Sequence, residues 1–234
     1  MRTSRVAGLL FLATATLAQP QQSVEITSEP SHHLVFQNEY VRVFDVTVAP
    51  RATTLIHKHN HDYLFVTLGD SDVISERVDE KPAALQLKDG EVRYTPGNFA
   101  HAAINKSDRP FHNITIELLK PTNNVKTCTG NCIAPGYKCA GICADKEKII
   151  SSDQWTVWGV ALPPSALQQK GSTSLPQLLV AVSDLDLKQE TGNSLRRTPG
   201  GLEWVSGGAA TALTNNGTQT AQFITLEFKP EKQN

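Results

Sequence analysis

Along residues 40–48 (Tyr-Val-Arg-Val-Phe-Asp-Val-Thr-Val), apolar positions alternate with polar ones at a period of two and are rich in β-branched and aromatic side chains. That pattern predicts a strand, which Pro50 ends. Similar short runs follow at 53–58, 63–68, 84–87, 92–95, 102–105 and 111–119, and Val35-Phe36 precedes them. Gly69-Asp70 and Asp89-Gly90 supply turns. No apolar repeat of 3.6 residues runs between positions 30 and 120. Short strands at this spacing predict an all-β sandwich or barrel.

The second half of the chain repeats the first. Phe111-His112-Asn113-Ile114-Thr115-Ile116-Glu117-Leu118 matches Ala221-Gln222-Phe223-Ile224-Thr225-Leu226-Glu227-Phe228, 110 residues later. At that same offset Asn105 falls on Asn215. The run 64–70 matches 178–184 at an offset of 114, and the difference of four is expected from a shortened loop. Two tandem β domains are therefore expected, over 24–122 and 150–234, joined by a linker at 123–149.

Composition narrows the function classes. The chain has 22 Lys+Arg and 23 Asp+Glu, with no basic cluster above that background, so a nucleic-acid partner is not expected. Met1 to Arg5 carries two arginines, Val6 to Leu12 is apolar, and Thr16-Leu17-Ala18 offers a small-residue cleavage site. Residues 1–18 thus read as a signal peptide, too short in its apolar run to span a bilayer. A secreted or periplasmic protein without a membrane span is expected. Its arginines are not adjacent, so a twin-arginine signal is not expected and the chain is expected to fold after export.

Three of seven histidines fall in His57-Lys58-His59-Asn60-His61, followed by Asp62. On a strand, His57 and His59 point the same way, and His101 opens a later strand. Imidazoles with a carboxylate suit transition metals. The sequence here resembles the cupin family, small double-stranded β-barrels marked by G-x5-H-x-H-x3,4-E-x6-G and G-x5-P-x-G-x2-H-x3-N. The second motif is matched by Gly90, Pro96, His101 and Asn105, with its inner glycine shifted to Gly97. In the first, Arg51 stands at the opening glycine and Gly69 closes the motif. Counting back from Gly69 puts the acidic ligand at Asp62, and counting forward from His59 puts it at Tyr63. An Asn60-His61 hairpin turn would set Asp62 opposite His59 and share its inward face with Leu64, Val66 and Leu68. The expected ligands are therefore His57, His59, Asp62 and His101, with His61 in place of Asp62, or no fourth ligand, as alternatives.

The resemblance implies an all-β chain of two tandem jelly-roll barrels, bicupin-like, with a Cys-rich connection. At the repeat offsets the ligand positions fall on Gly171, Thr173, Pro176 and Thr211, so the second barrel is expected to bind no metal. Trp155, Trp158 and Trp204 all lie there and are expected to fill its core or the seam between barrels. The linker holds Cys128, Cys132, Cys139 and Cys143. Export favours disulfides, nested as Cys132–Cys139 within Cys128–Cys143, over a structural zinc site.

The functional expectation is an exported cupin with one divalent ion, zinc, copper, nickel or manganese ahead of iron. It would be an enzyme of oxygenase, isomerase or decarboxylase type acting on a small molecule, or alternatively a non-catalytic small-molecule-binding module. A homodimer is left open. Asn105, Asn113 and Asn216 head glycosylation sequons.

Overall fold

The computed structural model describes residues 22–127, 146–168, 175–208 and 212–230. Residues 1–18, expected from the sequence to be a signal peptide, and all four cysteines lie outside the described residues. In chain order the first half runs β1 (Val24–Glu25), a 3-10 turn (Ile26–Ser28), β2 (His32–Gln37), β3 (Val41–Val48), β4 (His57–His59), β5 (Tyr63–Leu68), β6 (Ser71–Arg77), β7 (Ala83–Leu87), β8 (Val92–Thr95), β9 (Phe99–Asn105) and β10 (Phe111–Leu118). The second half runs β11 (Lys126–Thr127), β12 (Lys146–Ser151), β13 (Trp155–Leu162), β14 (Leu167–Gln168), β15 (Gln177–Ala181), β16 (Leu185–Gln189), β17 (Ser194–Arg197), β18 (Leu202–Val205), β19 (Leu213–Asn215) and β20 (Ala221–Phe228).

These strands form four sheets, ordered β1-β4-β9-β6-β7, β2-β3-β10-β5-β8, β11-β12-β13-β20-β15-β18 and β14-β19-β16-β17. The first two enclose Phe44, Val46, Val48, Phe65, Val73, Leu87 and Phe111, the interior of one barrel. The last two enclose Val160, Leu179, Leu187, Leu195 and Phe223, the interior of another. Between them, Val43, Leu64, Val66, Ile114 and Ile116 meet Val157, Leu178, Val180, Ile224 and Leu226 in one continuous apolar seam. Each such fully buried aliphatic side chain contributes about 1.5–3 kcal/mol, so the barrels adhere firmly. Aromatics close the seam's edge: Trp204 lies 5.7 Å from both Phe36 and Tyr40, and Tyr40 lies 4.9 Å from Phe228.

The repeat read from the sequence is visible in the pairing. The order β2-β3-β10-β5-β8 recurs as β12-β13-β20-β15-β18. His32 faces Val46 as Lys146 faces Val160, and both strand pairs carry an irregularity two to four residues on. Asn105 and Asn215 play the same part in the two barrels. The buried amide of each donates to a carbonyl four residues on and to the end of a distant strand, at Val48 and Leu162 respectively. This fixes the turn before the last strand of each barrel. Asn105 and Asn113 are buried and only Asn216 of the three sequons is exposed. Trp155 lies in the seam. Of the second-barrel counterparts, Gly171, Thr173 and Thr211 lie outside the described residues, and Pro176 precedes β15.

Two expectations need correction. Strands β4 and β5 are not a hairpin; they belong to different sheets, and residues 60–62 cross between them. The facing of β5 is also the reverse of that expected. Tyr63 and Phe65 point into the barrel, while Leu64, Val66 and Leu68 face the second barrel. All six residues of β5 are buried, because its sheet is covered on both sides. The aliphatic stripe marks the seam and not the barrel lining.

Candidate metal centre

Strand β4 pairs with β9 so that His57 stands directly opposite His101. In β4 the histidines are buried and Lys58 between them is exposed, as the two-residue period requires. From the facing sheet, β2 contributes His32, also buried. Four imidazoles thus meet between the two sheets. Ring centres of His57 lie 4.6 Å from His32, 4.6 Å from His101 and 5.1 Å from His59. One ring nitrogen from each of His32, His57 and His59 falls within 4.8 Å of the others. Nε2 of His59 and Nε2 of His101 are 3.2 Å apart.

The opposite edges of three of the rings are held. His32 Nδ1 sits 2.6 Å from Glu29, whose carboxylate also accepts from the backbone of Ser31 and Leu55. His57 Nδ1 donates to the Leu55 carbonyl at 2.9 Å, and His101 Nδ1 meets the Ser75 hydroxyl at 2.9 Å. Nδ1 of His59 lies 4.0 Å from Glu117, which Arg42 clamps from the other side. For His32 and His57 the partner can only accept, so Nδ1 donates and the Nε2 lone pair is left free, as outer partners of metal-bound histidines arrange.

Burial also fixes the charge state. It pushes the pKa of His57 down to about 4 and that of His101 down to about 3, and mutual repulsion adds to both. His59 is lowered for the same reasons. Burial would raise Glu29, but its hydrogen bond and attraction to His32 leave it lowered. Burial raises Glu117 despite Arg42. The imidazoles of His57, His59 and His101 are accordingly neutral near pH 7 and able to act as ligands. Nε2 of His57 is buried without a hydrogen-bond partner, a costly arrangement unless something binds there. A divalent ion fits: metal–nitrogen bonds of about 2.0–2.1 Å set neighbouring ligand atoms roughly 3 Å apart, near the His59–His101 separation.

The structure brings His57, His59 and His101 together and does not bring Asp62 to them. Both Asp62 oxygens are engaged elsewhere, accepting from the Tyr94 hydroxyl at 2.7 Å and from the Gly97 amide at 2.8 Å. Neither Asp62 nor His61 lines the cavity at the site. The crossing between sheets carries Asp62 onto the seam side of β5. Tyr63 takes the inward position instead, stacked 4.1 Å from His59, with burial raising its phenol to about 12. Gly97 has a specific role here: a Cβ there would fall 2.4 Å from the His61 carbonyl carbon.

The histidines lie in a cavity of about 320 Å³ inside the first barrel, whose walls include Val46, Val48, Phe65, Leu87 and Phe111. No protein-family model matches the sequence, and no curated protein matches it. Solved structures do. AerE from Microcystis aeruginosa is 12% identical with a TM-score of 0.60, over 86% of this chain and 99% of that one. Salicylate 1,2-dioxygenase from Pseudoaminobacter salicylatoxidans, with gentisate, is 11% identical with a TM-score of 0.54, over 81% and 68%. Oxalate decarboxylase is 11% identical with a TM-score of 0.54, over 81% and 69%. The fold is that of a bicupin.

Within this fold the residue that sequence reasoning missed is His32. It lies outside both cupin motifs and reaches the site from the opposite sheet, so no local spacing announces it. Glu29, three residues before it, was the available hint. Its counterpart in the second barrel is Lys146, whose ammonium lies 3.6 Å from Glu227, the counterpart of Glu117.

Proposed function

We propose that this chain is an exported, metal-dependent bicupin enzyme acting on a small molecule, with one divalent ion held by His32, His57, His59 and His101. The observation that carries the reading is the cluster of four buried imidazoles in the cavity: His32, His57 and His59 each bring a ring nitrogen within 4.8 Å of the others, and His101 Nε2 lies 3.2 Å from His59 Nε2. An all-imidazole set suits copper, nickel, zinc and iron better than manganese, whose preferred partners are carboxylate and water oxygens. Folding after export into an oxidising space argues against ferrous iron, leaving copper, nickel or zinc as the expected ion. When bound, the ion supplies Lewis acidity or a redox couple next to the cavity.

The protein's own residues do the rest. Glu29, the Leu55 carbonyl and Ser75 hold the rings, Tyr63 and Phe65 wall them off, and the aliphatic lining excludes water from an apolar ligand. Similar folds occur in a salicylate dioxygenase and an oxalate decarboxylase, which supports an oxygenase or decarboxylase type of reaction. Turnover assays on metal-loaded protein test this. Consumption of a small organic acid that stops on chelation supports the reading, and stoichiometric binding without turnover moves it to a non-catalytic binding module.

A further inference from the structure

Strand β6 runs beside β9 with Arg77 directly opposite His101 and Ser75 opposite Ala103. Val73, Ser75 and Arg77 therefore share the face that looks into the barrel, and all three line the cavity. The Arg77 guanidinium carbon lies over the Phe99 ring, 3.9 Å from its centre, a contact that restrains the side chain while leaving its N–H donors for a partner. Its one ion-pair partner among the described residues is Glu80 at 3.4 Å, on a largely exposed side chain. Such a solvated pair is easily displaced.

The charged part of the wall carries Glu80 beside the cations Lys81 and Arg93, with Arg93 tied to Glu91, so Arg77, Lys81 and Arg93 outnumber its one carboxylate. The field of Arg77 also reaches His59 and His101 and helps keep both neutral. Away from this edge the lining is mostly aliphatic and aromatic, with Thr54, Thr95, Asn113 and Thr115 as its polar positions. A volume of about 320 Å³ holds roughly ten water molecules at liquid density, which limits the occupant to a compact molecule.

We infer that Arg77 is the anion anchor of this cavity, and that its ligand is a small monocarboxylic acid with an apolar body. The inference deepens the metal-dependent reading above and rests on it for the position of the reacting centre. A planar guanidinium matches a carboxylate through two parallel hydrogen bonds. The apolar body then lies against Val46, Val48 and Phe111, and the carboxylate end is held beside the histidines.

The test is calorimetry on the full-length, zinc-loaded protein with benzoate, hexanoate, the uncharged benzamide and inorganic phosphate. At least one of the two acids should bind at one equivalent, more tightly than benzamide or phosphate. Arg77→Gln should weaken that binding tenfold or more and leave benzamide unaffected. Arg77→Lys, which keeps the charge without the planar fork, should show a smaller loss and covers the case in which the glutamine variant folds poorly. Absence of acid binding, tighter phosphate binding, or unchanged acid affinity in both variants would overturn the inference. Zinc content of the same samples separates the two readings. Zinc lost while acid binding persists overturns the metal proposal alone, and zinc kept without acid binding overturns this one alone.

Discussion

Replacing Asp62 by alanine distinguishes the ligand set expected from motif spacing from the one seen in the fold. In the structure its carboxylate accepts from the Tyr94 hydroxyl and the Gly97 amide, and Tyr94 packs 5.9 Å from Trp155 of the second barrel. The variant removes two hydrogen bonds to a charged acceptor. Such bonds contribute about 1.5–3 kcal/mol each when well buried. Because both donors are only half-buried and water can replace part of the loss, a total of about 2–3 kcal/mol is expected. For a chain of this size that corresponds to a fall in Tm of about 4–12 °C. Metal content should not change. Elemental analysis and a thermal melt on the same preparation decide the matter. Loss of the ion with an unaltered Tm would make Asp62 a ligand and refute the placement described above.

Two further outcomes follow from the same geometry. In metal-free protein, His57 stays neutral down to about pH 4, whereas in the unfolded chain it takes up a proton below about pH 6.5. Its folded pKa is depressed, so its contribution is complete above about pH 6.5 and is lost as pH falls toward 4, about 3 kcal/mol for this group alone; a Tm that is constant over that window contradicts the assignment. Gly97→Ala forces a methyl against the His61–Asp62 backbone and should destabilise by about 1–3 kcal/mol, read as a lowered denaturation midpoint; an unchanged midpoint would show that this close approach is relaxed in solution.

The architecture was legible in the sequence because its signals are local or periodic. Strand alternation marked most of the first barrel, and the offsets of 114 and 110 residues marked the second as its repeat and aligned Asn105 with Asn215. Strand β6 was missed, since Ser71–Arg77 carries only Val73 and Ile74 as apolar residues and its pairing with β9 and β7 is set by distant partners. The facing of β5 was misread for a different reason. A strand covered on both sides has no polar face, so alternation between Leu64/Val66/Leu68 and Tyr63/Phe65 cannot say which set lines the barrel. That error carried Asp62 into the expected site. His57, His59 and His101 stand in motif positions and could be read from spacing. His32 joins them only through the closure of one sheet over the other, a contact across 25 residues of chain to His57 that no short pattern encodes.

The four-histidine centre is tested most directly by elemental analysis of protein purified from its native compartment, beside the His32→Ala variant prepared in the same way. Close to one equivalent of copper, nickel or zinc is expected in the native protein. In the variant, affinity should fall by at least ~100-fold, since even outer partners of a ligand cost 10–100-fold. Stoichiometric iron would leave the centre standing and overturn the argument from folding after export. Metal-free native protein, or full occupancy retained without the His32 imidazole, would contradict the centre itself.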